Sequence, residues 1–233
     1  MATKKAVIEG PFEGFSGDTL AFLAELAENN NKEWFEANRE RWERALAAPA
    51  RAFVRAVGPA ISGWDPELVV EARVGGSIFR INRDVRFSKD KRPYKEELGF
   101  RFVPADEEGA SGLLMRIRPD FVGMAVGNWS FSPAQLARYR AGVDDPASGA
   151  AFAEMVAGLA HNGCGFAADP LKRVPAGFAA DHPRAELLKA RSVIVGVDHP
   201  IPDCFGQADF AAWCLAGWER LLPVHRWLRA VLG

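Results

Sequence analysis

The chain has 233 residues, of which 48% are hydrophobic, 25% charged and 11% aromatic, the composition of a globular protein able to bury a sizeable core rather than a disordered or fibrous one. Its formal net charge of −1 and pI near 6.5 argue against a surface that is basic throughout, as in a general binder of nucleic acid or membrane surfaces. Cys164, Cys204 and Cys214 form no CxxC pair, the N-terminus shows no apolar signal core, and no apolar run approaches the ~20 residues of a membrane helix, so a reduced, cytoplasmic chain without a membrane span is expected.

From Ser16 to about Asn29, Leu20, Leu23, Leu26 and Ala27 keep helical spacing. Asn30 with Glu33 three residues on predicts a capping-box start for a second helix, with Trp34, Asn38, Trp42 and Leu46 on one stripe and Pro49 as its stop. A third helix is predicted over about 50–61. The period then shortens to two. Strands are predicted over 68–74 and 77–82, joined at Gly75-Gly76, over 98–103, and over 113–118 and 121–126, joined at Pro119-Asp120. Ser132-Pro133-Ala134-Gln135 is a complete helix start, for a helix ending near Gly142. Another follows over 148–161. Residues 163–182 read as loop, followed by a short helix after Pro183, a strand near 192–197 and a terminal helical region from about 207 that Pro223 splits. The expected fold is α+β, a single domain with a mainly antiparallel sheet packed against helices, preceded by a tail over 1–11.

The segment Arg80–Lys95 holds seven Lys/Arg against two Asp, a net +5, which leaves 22 basic and 28 acidic residues elsewhere. Such a concentration needs an opposing charge, supplied by Asp84 and Asp90 or by a bound anion. As a ligand site, Arg80, Arg83, Arg86, Lys89, Lys91 and Lys95 supply the cations for a phosphate- or carboxylate-bearing small molecule. Asp84 and Asp90, kept ionised by their neighbours, orient them, and Tyr94 donates a hydrogen bond or anchors the loop. Pro93 and the apolar Ile81, Val85, Phe87 and Tyr94 predict an ordered segment in which Phe87 or Tyr94 is largely buried. Two other readings stand beside this one. The same cations on an open face, with Trp34, Phe87 or Tyr94 for stacking, suit nucleic acid or an acidic protein partner; a ligand-free ion-pair network is the third.

No metal-ligand spacing, phosphate loop, dinucleotide fingerprint or nucleophile elbow appears, so neither metal nor cofactor is expected and no catalytic residue is assigned. His161, His182, His199, His225 and the three cysteines read as structural. Asn29-Asn30-Asn31 reads as a helix corner whose free N–H groups also suit an anion.

The run FRINRDVRFSKDKRPYKEELGFRF (Phe79–Phe102), with FLAELAENNNKEWFEANRERWERA (Phe22–Ala45) before it and LKRVPAGFAADHPRAELLKARS (Leu171–Ser192) after it, resembles the domain of unknown function 2461 family across about residues 12–230. Gly127–Pro133 departs from the family's usual glycine, aromatic, proline pattern. The resemblance implies a single α+β domain in a bacterial cytoplasmic protein, and it implies no activity.

Overall fold

The computed structural model describes residues 10–105 and 111–233; residues 1–9 of the expected tail lie outside them. Helix α1 (Gly17–Glu28) forms where the spacing predicts and buries Phe22, Leu23 and Leu26. The next cap is Asn31 rather than Asn30, its Oδ1 accepting the Trp34 N–H at 2.9 Å at the head of α2 (Lys32–Ala37). Helix α3 (Arg39–Trp42) continues through a widened turn (Glu43–Ala47) directly into α4 (Ala48–Trp64). Pro49 therefore stops nothing. The widened turn bonds the Ala48 N–H to the Glu43 carbonyl, and the Ala45 carbonyl, which Pro49 has no N–H to bond, accepts the Thr19 hydroxyl at 2.7 Å.

The sheet contains β1 (Leu98–Phe102), β2 (Gly112–Ile117), β3 (Phe121–Asn128), β4 (Gly165–Ala167) and β5 (Val193–Pro200) in the order β1-β2-β3-β5-β4, every pair antiparallel. The β2–β3 hairpin turns at Pro119-Asp120 as predicted. The strands expected over 68–74 and 77–82 do not form. That stretch instead makes isolated contacts, Val69 N–H to the Val103 carbonyl just past β1, and a single bridge to β1 at Ile78, where Phe79 N–H donates to the Gly99 carbonyl and Arg101 N–H to the Ser77 carbonyl. Between them it folds on itself: the Ser77 N–H donates to the Glu71 carbonyl, and the Glu71 N–H to Ser77 Oγ. Gly75, at φ +87°, supplies the turn by which its N–H reaches the Ile78 carbonyl at 2.7 Å. Local bonds have taken the donors that a ladder needs.

Helix α5 (Pro133–Asp144) starts with the predicted Ser132/Gln135 capping box, and α6 (Pro146–His161) follows Asp145. The short α7 (Ala185–Leu188) and a 3₁₀ turn (Asp203–Gly206) lead to α8 (Phe210–Glu219) and α9 (Leu222–Leu232), with Pro223 in the first turn of α9. Strand β4, inside the expected loop 163–182, is three residues long and carries no periodicity.

One sheet face packs on helices. Phe100, Met115, Met124, Val126 and Val195 alternate inward, and Phe53 of α4 meets Phe100 edge to face at 5.1 Å with Trp218 of α8 behind it. The chain is thus α+β, with one antiparallel sheet packed against helices.

Candidate functional site

The basic segment leaves the end of the irregular stretch at Arg80 and returns to β1 through Lys95. Its base is a two-point pairing, Arg83 N–H to the Pro93 carbonyl (2.8 Å) and Lys95 N–H to the Ile81 carbonyl (2.7 Å). Asn30 fastens this base to the helices. Its amide accepts the Tyr94 N–H and donates to the Tyr94 carbonyl, both at 3.0 Å, and also donates to Glu96. Tyr94 is 5% exposed and stacks on Phe35 of α2 at 4.3 Å, burial pushing its hydroxyl pKa up. Phe87, by contrast, is 96% exposed at the tip.

The segment neutralises much of its own charge. Arg86 forks onto Asp84 at 2.7 Å, and Asp90 accepts from both Arg83 (2.8 Å) and Arg92 (2.7 Å). Arg92 also reaches Glu96, an acid beyond the sixteen residues. The guanidinium of Arg92, then that of Arg83, holds the Asp90 carboxyl far below its ordinary range, and the Arg86 guanidinium lowers that of Asp84. The two aspartates are therefore ionised and act as orienting groups. Lys91 donates to the Val85 carbonyl, and Lys95 to the Arg80 and Asn82 carbonyls while lying 5.3 Å from the Phe79 ring centroid. Burial lowers the Lys95 pKa.

Arg80 stands apart. Among the described residues no carboxylate lies within ion-pair distance of it, nor of Lys89, which projects into solvent. Arg80 lines a cleft of about 520 Å³ between the helices and the hairpin base, where Lys32, Arg39 and Glu36 bring the charge to +2. Trp42, Phe35 and Tyr94 supply its apolar wall. Glu36 holds Arg39 by two hydrogen bonds, leaving the rest of that guanidinium available. The six-residue α2 offers this cleft no free helix start, because Asn31 already caps it.

The structure thus brings Arg80 and Tyr94 together, pairs Arg86 with Asp84 and Arg83 with Asp90 in two separate ion-pair groups, and leaves Lys89 and Lys91 on the outside. Lys32, Arg39 and Trp42 complete the cleft. They were not singled out as site residues in the sequence, although they sit in the upstream polar block. The third block does other work: the Arg184 guanidinium caps α5 through the Val143, Asp144 and Asp145 carbonyls.

A second polar cluster is internal. Asp65, at the end of α4, accepts from His225 Nε2 at 3.0 Å and lies 3.2 Å from Arg229 Nε, and His225 Nδ1 lies 3.2 Å from Ser111 Oγ. Since Asp65 is an acceptor, Nε2 carries the hydrogen; burial, partly offset by Asp65, lowers the His225 pKa, so Nδ1 accepts from the Ser111 hydroxyl. Ser111 and His225 are each 1% exposed, which gives this serine no access to a substrate. The cluster joins α4, β2 and α9.

Fold and site together describe an α+β protein with a basic hairpin clasped to its helices by Asn30. A family model described as "Conserved hypothetical protein (DUF2461)" matches residues 18–227, and the chain belongs to that family. No curated protein matches the chain. Among the described residues, no helix is long and apolar enough to cross a membrane, and no group of three or more His, Cys, Asp or Glu is placed to hold a metal ion.

Proposed function

We propose that this protein binds a small molecule bearing a phosphate or carboxylate in the cleft between α2–α3 and the basic hairpin. The observation that carries this reading is Arg80, an arginine of the segment with no carboxylate beside it among the described residues, lining a cleft that is +2 with its own charge counted and has an aromatic wall. A guanidinium fork suits an oxyanion, Lys32 and Arg39 add charge, and Trp42 and Tyr94 take the ligand's apolar body. Arg83 and Arg86, first expected to line the pocket, act in this reading as a scaffold that stiffens the hairpin. The protein is a single domain of the cytoplasm in this reading; the three free cysteines suit a reducing compartment.

The test is a thermal-shift screen of phosphate, nucleotides and small carboxylates on wild type, Arg80→Ala and Arg83→Ala. Stabilisation is expected in wild type and Arg83→Ala. Loss of the Arg80 contact should weaken affinity by about one to two decades. No shift with any anion, or an undiminished shift in Arg80→Ala, defeats the reading. A second reading, a nucleic acid or acidic protein partner, is favoured by the exposed Phe87 beside Arg86 and Lys89; it predicts salt-sensitive binding that Phe87→Ala removes and Arg80→Ala leaves.

A further inference from the structure

The helices cover one face of the sheet, and the other face holds a groove of about 690 Å³, within the range of small-molecule sites. Its floor is short of side chains. Gly123 sits between Arg116 and Asp198 in one cross-strand row, and in the next Ala125 faces Gly196, which faces Gly165. A glycine inside a strand weakens it relative to alanine and often marks the close approach of a ligand or another backbone. Packing accounts for Gly196, where a Cβ would lie 2.5 Å from the Ala125 Cβ and from the Met124 carbonyl oxygen, while at Gly123 it would meet the movable end of the Asp198 side chain at 2.4 Å. Packing does not account for Gly165, where an added Cβ meets nothing nearer than 3.9 Å and the backbone is not left-handed.

The walls are aromatic. Phe79 and Trp129 meet edge to face at 6.3 Å, and Lys95 and Arg101 brace Phe79 at 5.3 and 5.6 Å from its ring centroid. Trp129 is 57% exposed, a large indole kept in water at the mouth of the groove. At one end the Arg116–Asp198 pair (2.9 Å) presents a donor beside an acceptor, and each partner keeps unused hydrogen-bonding capacity. Phe79 and Arg80 are consecutive, yet one lines this groove and the other lines the anion cleft.

We infer that the groove is a second binding site, independent of the anion cleft, for a planar heteroaromatic molecule. The ring lies on the backbone floor and stacks against Trp129, with its donor–acceptor edge toward Arg116 and Asp198. A second copy of the chain is the competing occupant, but a walled groove of this volume matches a small molecule better than the flat patch of a subunit contact.

The experiment uses adenine, guanine, nicotinamide and lumichrome as probes, read by quenching of tryptophan fluorescence and by melting temperature. At least one probe should bind wild type saturably. Gly165→Leu fills the groove without a backbone clash, so it should weaken that probe roughly tenfold or more while leaving the unliganded melting temperature unchanged. Trp129→Ala should weaken it as well, and Arg80→Ala should not. The proposal is overturned if no probe binds at millimolar concentration or if Gly165→Leu binds as wild type does. It is also overturned if the unliganded protein self-associates and Gly165→Leu abolishes that association, which would give the face to a second copy.

Discussion

The basic hairpin and the Asp65–His225 cluster are both built from ion pairs and hydrogen bonds, yet they serve the molecule in opposite ways. In the hairpin, Arg86, Arg92, Asp84 and Asp90 meet in water, where screening and side-chain entropy cancel most of the gain. Around His225, 1% exposed, the same chemistry sits against the core, where a missing partner leaves a polar group with nothing to bond. Salt bridges that look alike in a contact map thus separate by burial into a surface that shapes a ligand site and an internal lock.

The sharpest way to break this contrast is Asp65→Ala. It removes the acceptor of His225 Nε2 and of the Glu67 N–H and one of the acids beside Arg229, and the expected loss is about 3 kcal/mol in denaturant unfolding. A loss no larger than that of Asp90→Asn would abolish the distinction. The next effect is in pH. Burial depresses the folded-state His225 pKa below its unfolded value, so stability should be full above the ordinary imidazole range near 6.5 and fall as pH drops through the lower folded value. Unfolding curves between pH 7.5 and pH 5, about that midpoint, should steepen this loss in wild type and flatten it in His225→Asn. Below this range, Asp65, whose own depressed pKa keeps it ionised, should add a further acid-dependent loss.

A third test concerns cooperativity. With Phe53 of α4, Phe100 of β1 and Trp218 of α8 in one cluster, calorimetry should show a single transition. Two transitions would mean that the lock and the hairpin report on different units. The smallest expected effect is Asp90→Asn. It should leave the melting temperature nearly unchanged and speed amide exchange only within the hairpin, at Arg92, whose N–H Asp90 accepts at 3.0 Å.

Much of the fold could be read from the chain because its signals were local. The spacing in α1, the Pro119-Asp120 turn and the Ser132/Gln135 box each concern residues within a few positions of one another. The stretch 68–82 misled because β-branched and aromatic residues report a pleated, half-buried surface, and residues packed beside β1 occupy such a surface without joining its ladder. At the site, the charge run marked the right segment, and Tyr94 was legible as an anchor. Which arginine would have no carboxylate beside it among the described residues was not legible, since Arg80's position opposite Lys32 and Arg39 depends on a hairpin brought against helices some fifty residues earlier. The bare groove was invisible for a related reason. Gly123, Gly165 and Gly196 are isolated in the chain, and only strand pairing sets them around one floor.

Asn30 grips the hairpin through the N–H and C=O of Tyr94, groups that every residue but proline carries. The grip therefore calls on no side chain of the loop itself, its one side-chain contact being with Glu96 beyond it. Residues 84–92 can be recharged, shortened at the tip or given a new specificity while the base stays registered against α2, which makes this loop a natural graft point for engineered recognition.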